Sequence, residues 1–133
     1  MKLQHGEYIS YGRIESVFKT NPLVENICML ADPTQDYCKA VIVPSVTELA
    51  SLTNLDAKEA IKQKEVRAKV VQNLEKYGLS MGLGKVECPK TVLLTLDEWT
   101  PDSGLVTAAF KIRRRFISQK YASELEELQI QSN

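Results

Sequence analysis

The chain has 133 residues, 44% of them apolar, with seventeen basic and seventeen acidic side chains and a formal net charge of zero. That length suits one domain with a single core, and the charge balance disfavours a general nucleic-acid binder, because any pull on phosphates has to come from local clustering. No apolar run is long enough to cross a bilayer and the start, "MKLQHGEYIS", lacks the apolar core of a signal peptide, so a cytoplasmic chain is expected.

Residues 2–9 mix polar, glycine and β-forming residues, and Ser10 stands where it can cap a helix over "YGRIESVFKTN". Ile14, Val17 and Phe18 share a face of that helix, which Pro22 ends. "LVENICMLAD" and "YCKAVIVP" read as two strands joined through "PTQD", an antiparallel hairpin whose second strand is apolar enough to be buried on both faces. Ser45 with Glu48, and Asp56 with Glu59, each place a capping oxygen three residues before a glutamate and predict two helix starts. The second helix is expected to run on through "EVRAKVVQNLEKYG", with Val66, Val70, Val71, Leu74 and Tyr77 along one side and Gly78 in a left-handed C-terminal turn. "SMGLGKVECP" approaches a third strand, "KTVLLTL", and "DEWTPDSG" breaks regular structure. A last amphipathic helix is predicted from Lys111 to Leu128, its stripe formed by Ile112, Phe116, Ile117, Tyr121, Leu125 and Leu128. The fold class is therefore α+β: a small compact domain with a sheet of three or slightly more strands, an antiparallel hairpin and packed helices.

Cys28, Cys38 and Cys88 are odd in number, widely spaced and in apolar contexts, as expected of buried free thiols in a reducing compartment. His5 is the only histidine and no Cys-x-x-Cys pair accompanies it, so a zinc site lacks ligands and a Ser-His-Asp triad would hang on His5 alone. Tyr8, Trp99, Phe110 and Tyr121 read as packing residues, since no basic-aromatic ladder surrounds them. The unusual feature is "AFKIRRR". Lys111, Arg113, Arg114 and Arg115 crowd the start of the predicted helix while Glu124, Glu126 and Glu127 lie near its finish, the reverse of what the helix dipole favours. A phosphate at that end would turn the cluster into a site; alternatively the cations fan outward, solvated or paired with acids elsewhere.

"KLQHGEYISYGRIES", "LVENICML", "YCKAVIVPS" and "WTPDSGLVTAAFKIRRR", in that order and separation, resemble the C-terminal domain of eukaryotic long-chain acyl-CoA synthetases, which are adenylate-forming enzymes. The resemblance covers nearly the whole chain and is least at the helices between 45 and 77. It implies a fragment, residues 1–133 being a lid domain that lacks the large N-terminal AMP-binding domain and the hinge just before Lys2, with Met1 standing at an internal position of a longer protein. Family members use the lid twice, in ATP-dependent formation of the acyl-adenylate and, after domain rotation, in thioester formation with coenzyme A. The resemblance makes Lys111 the adenylation lysine, places Gly6 with Glu7, Tyr8 and Lys2 in the loop lining the CoA channel, and leaves Arg113, Arg114 and Arg115 as phosphate-binding candidates. It further implies ATP, Mg2+ and coenzyme A for the complete enzyme, a long-chain fatty acid as substrate, an inactive isolated domain, and a parent enzyme that associates with the cytosolic face of the endoplasmic reticulum or another organelle. The alternative is a non-catalytic module of the same fold that binds an acidic partner through its arginines.

Overall fold

The computed structural model describes residues 10–31 and 38–132. The predicted turn at 33–36 and the stretch containing Lys2, His5, Gly6, Glu7 and Tyr8 lie outside these residues.

Among the described residues three strands form the sheet: β1 (Val24–Ala31), β2 (Cys38–Pro44) and β3 (Pro89–Leu94). β1 and β2 run antiparallel, with Ile27 opposite Ile42 and Met29 opposite Ala40, as the hairpin reading expects. β3 joins the other side of β2 in parallel, with Ala40 opposite Val92 and Ile42 opposite Leu94. The long crossover between β2 and β3 carries helices, as a parallel pair requires.

Side chains alternate across the sheet, so each face has its own core. Ile27, Met29, Ala40, Ile42, Val92 and Leu94 face α1 (Tyr11–Phe18), α2 (Val46–Thr53), α3 (Ala57–Ala60) and α4 (Lys64–Ser80). Cys28, Leu30, Val41, Val43 and Leu93 face Trp99, Leu105, Val106 and two further helices, α5 (Arg114–Lys120) and α6 (Ala122–Ser132). β2 is thus buried on both sides, which is why it carries a continuous apolar run. Ile14 and Phe18, four residues apart, are wholly buried and hold α1 against the sheet. Ser45 caps α2 by accepting the Glu48 N–H at 3.4 Å, and Asn54 ends it in the left-handed region at φ 59°.

The helix predicted from Asp56 is two helices. α3 spans four residues, the chain extends at Gln63, and α4 begins at Lys64. The reason is angular: Ala60 and Val66 are both buried but six residues apart, and at about 100° per residue they would fall on different sides of one continuous helix. Interrupting the helix between them lets both reach the core.

Gly78 is also not the terminator. α4 continues to Ser80, and Gly82, at φ 92°, takes the left-handed turn. A β-carbon at Gly78 would come within 2.8 Å of Cys88 Sγ, 3.2 Å of Phe18 Cζ and 3.3 Å of Leu83 Cδ1, so this glycine lets a helix, a loop and a neighbouring helix close on one point.

The helix predicted from Lys111 starts at Arg114, is interrupted at Tyr121 and resumes as α6. Tyr121 is buried; its hydroxyl accepts from Trp99 Nε1 at 3.1 Å and donates to Asp97 Oδ2 at 2.8 Å, and burial first of all pushes its ionisation up to about 12. Phe116, expected on the apolar stripe, is exposed instead. Cys28, Cys38 and Cys88 are free and buried, with the Cys28 thiol pushed by burial up to about 12 and that of Cys38 up to about 11.

Substituting Gly78→Ala should destabilise the chain. The crowding of three buried side chains costs about 1 to 3 kcal/mol, more than the roughly 1 kcal/mol of helix propensity that alanine contributes. Urea unfolding of the variant checks this; a midpoint at or above that of the parent chain would show that the crowded point relaxes freely.

Candidate functional site

Lys111 stands on a short hairpin that precedes α5. The hairpin begins behind a turn of 3-10 helix (Pro101–Ser103), where Ser103 Oγ donates to the Thr100 carbonyl at 2.6 Å and accepts the Leu105 N–H at 3.3 Å, and where Gly104 adopts φ 79°. Leu105 and Val106 are buried in the second core, which fixes the outgoing arm. Val106 pairs with Ile112 in an antiparallel bridge, and the Arg113 N–H returns to the Leu105 carbonyl at 3.0 Å.

Thr107 closes the tip with three groups at once. Its N–H donates to the Lys111 carbonyl at 2.9 Å, its carbonyl accepts the Phe110 N–H at 2.8 Å, and its hydroxyl accepts the Lys111 N–H at 3.1 Å. The main chain of Lys111 is therefore tied down on both sides while its side chain is exposed. Phe110, expected to pack, is 59% exposed and has φ 61°.

The cluster predicted at the helix start does not act as one group. Lys111 lies ahead of the helix and has no ion-pair partner among the described residues. Arg113 occupies the N-cap position, lays its guanidinium 4.0 Å from the centre of the Phe116 ring and donates to the Gly104 carbonyl at 3.3 Å. Arg115 is exposed and likewise has no ion-pair partner among the described residues. Arg114 turns inward.

Arg114 makes a two-pronged ion pair with Glu15 of α1, Nη1 to Oε2 at 2.5 Å and Nη2 to Oε1 at 3.1 Å. Nη1 also donates to the Met29 carbonyl at 3.0 Å, while Glu15 Oε2 accepts the Met29 N–H at 2.6 Å. The guanidinium packs 4.1 Å from the centre of the Tyr11 ring. Burial alone would lower the Arg114 pKa; hydrogen bonding to Glu15 and its charge outweigh this and hold it above its ordinary value. With both prongs engaged, Arg114 anchors the base of the hairpin and is not directed at an external anion.

The reversed charge order of the predicted helix is only partly relieved, since Arg113, Arg114 and Arg115 still stand at the start of α5. α5 has only seven residues, and Glu124 falls in the first turn of α6, where the dipole favours an acid. Two grooves lie elsewhere: one of about 540 Å³ lined by Asn21, Leu52, Asn73 and Tyr77, and one of about 280 Å³ lined by Arg67, Val71 and Lys90. No group of three or more His, Cys, Asp or Glu side chains suited to a metal ion occurs among the described residues.

Glu15 and Thr107 escaped the sequence reading. Glu15 and Arg114 are 99 positions apart, and no local pattern links them. Thr107 had a legible signal, a hydroxyl residue opening a tight turn, which commonly bonds its own following backbone.

No protein-family model matches the chain. It is 40% identical to long chain acyl-CoA synthetase 8 of Arabidopsis thaliana over 134 aligned residues, covering 96% of this chain and 19% of the relative. It is 37% identical to long-chain-fatty-acid–CoA ligase 1 of Schizosaccharomyces pombe, covering 95% of this chain and 20% of that protein. Among solved structures it resembles the adenylation domain of a carboxylate reductase from Mycobacterium chelonae, with a TM-score of 0.82 and 25% identity over 98% of this chain and 19% of the other. The A domain of carboxylic acid reductase from Segniliparus rugosus, solved with AMP and a co-purified carboxylic acid, gives a TM-score of 0.82 at 27% identity, over all of this chain and 20% of that one. The chain thus spans about a fifth of the length of the curated relatives it matches.

Replacing Arg114 by methionine leaves the Glu15 carboxylate buried and alone, and the chain should lose about 3 kcal/mol of stability. In the double variant Glu15→Leu, Arg114→Met only part of this loss should return, because the Met29 N–H and carbonyl still lack partners. Denaturant titration of the three proteins measures both; a single-variant loss under about 0.5 kcal/mol would mark the pair as an ordinary surface one.

Proposed function

We propose that this chain, a homologue of long-chain acyl-CoA synthetases over nearly all of its length, is the C-terminal lid domain of an ATP-dependent long-chain fatty acid–CoA ligase. Under this reading Lys111 is the adenylation lysine, and the isolated domain is inactive because the larger AMP-binding domain carries most of the nucleotide site and the fatty acid. The single observation that carries the reading is the setting of Lys111: an exposed ammonium without an ion-pair partner among the described residues, on a hairpin whose backbone is clamped by Thr107.

The chemistry asks for such a group. As a carboxylate attacks the α-phosphorus of ATP, negative charge gathers on oxygens of both reactants, and each repels the other. A mobile point charge can touch both sets of oxygens. At about 4 Å and an effective dielectric of 20, two unit charges attract by ~4 kcal/mol, so one ammonium in the right place alters the barrier substantially. A lysine held in an internal ion pair would have to break it first; Lys111 has none to break among the described residues.

Gly6, with Glu7, Tyr8 and Lys2, is assigned by the resemblance to the CoA channel in the second half-reaction, where a glycine lets backbone approach the pantetheine arm. Magnesium is assigned to the larger domain, because no suitable donor cluster occurs among the described residues. Of the three arginines proposed for phosphate, Arg115 keeps the freest guanidinium. The same geometry weakens the alternative of an acidic-partner module, since Arg114 is committed to Glu15.

In the full-length enzyme, Lys111→Ala should slow acyl-adenylate formation, followed by pyrophosphate release, on the order of 10²- to 10³-fold. Thioester formation from preformed acyl-adenylate should be largely spared, and equal losses in both half-reactions would reject the assignment. Gly6→Leu is expected to do the converse, leaving pyrophosphate release intact and stopping acyl-CoA formation. A normal acyl-CoA yield from that variant would remove Gly6 from the channel.

A further inference from the structure

Phe110 is placed at a backbone cost that burial of its ring does not repay among the described residues. Its φ of 61° lies in the left-handed region, which disfavours an ordinary L-residue by roughly 1 to 2 kcal/mol. Glycine or asparagine would sit there with less strain. A buried ring could offset the penalty by leaving water, yet this ring is 59% exposed. Its neighbours Ala108 and Ala109 are small, uncharged and exposed as well. The tip is therefore a bare apolar turn carrying one large aromatic, immediately before the ammonium of Lys111.

We propose that Phe110 is a positioning residue whose ring docks on an apolar surface of the larger AMP-binding domain and so sets where the Lys111 ammonium comes to rest. This rests on the reading of Lys111 as the adenylation lysine. The occupant follows from proportion and chemistry. The matched chain is only about a fifth of its curated relatives, so in such proteins the remaining four-fifths is available to meet this tip. The turn from Thr107 to Phe110 has no charged side chain, which suits an apolar counterpart. A lysine side chain has several freely rotating bonds, so holding its ammonium between two reactants demands a fixed starting point. The Thr107 clamp fixes that point relative to this domain; a ring locked at the preceding residue would fix it relative to the other.

Phe110→Asn and Phe110→Tyr in the full-length enzyme test this, alongside the thermal midpoint of the 133-residue chain carrying Phe110→Asn. Asparagine tolerates the left-handed backbone and removes the ring. The chain should melt at an equal or higher temperature, while kcat for pyrophosphate release falls on the order of 10- to 100-fold and the KM for fatty acid changes little. Tyrosine keeps the ring and should retain kcat within a few-fold. A wild-type kcat in the asparagine variant overturns the proposal, as does a clearly lower melting temperature of the chain, which would mean that the ring packs within this domain. If Lys111→Ala slows adenylation and Phe110→Asn does not, only the docking role fails; if Lys111→Ala has no effect, the underlying reading fails with it.

Discussion

One polar junction determines how the two ends of this chain meet. Among the described residues β1 is an edge strand, and an edge strand presents unpaired backbone groups to its surroundings. At Met29 the Glu15 carboxylate takes the N–H and the Arg114 guanidinium takes the carbonyl, so two side chains act as a missing neighbouring strand. Because each also neutralises the other, a carboxylate can lie almost fully buried without an uncompensated charge. α1 supplies one partner and α5 the other, and the hairpin bearing Lys111 leads directly into α5. Its position thereby depends on a contact far from its own sequence neighbourhood.

The same junction explains the order of the arginines. Three in succession look redundant until each is followed to its partners: one spans an aromatic ring and a carbonyl, one closes the sheet edge, one remains in solvent. What looks like a uniform patch is a division of labour, leaving Lys111, Arg113 and Arg115, which have no ion-pair partner among the described residues, to project positive charge from a molecule that is neutral as a whole.

Much of the architecture is legible from residue order alone. The continuous apolar run of β2 announces a strand covered on both faces, and Ser45 marks a helix start that it then caps. The failures share a cause. Gly78 resembles a helix terminator because glycine after a periodic stretch often is one, but its role depends on Cys88 and Phe18, which approach from other parts of the chain. The interruption between α3 and α4 follows from which residues must face one core, a question that capping patterns do not answer. Glu15 and Arg114 are invisible as a pair for the same reason. Phe110 fails differently: its backbone contradicts its own propensity, and local inference cannot anticipate a residue that violates the local rule. At the site, then, Lys111 could be picked out by its motif, whereas the clamp and junction that support it could not.

The three cysteines carry a chemical consequence. All are interior, and burial shifts each toward its protonated form, so the domain offers its surroundings no ready sulfur nucleophile. For a protein that works, as proposed, beside mixed anhydrides and thioesters, this chain's own sulfur cannot intercept an activated acyl group in transit.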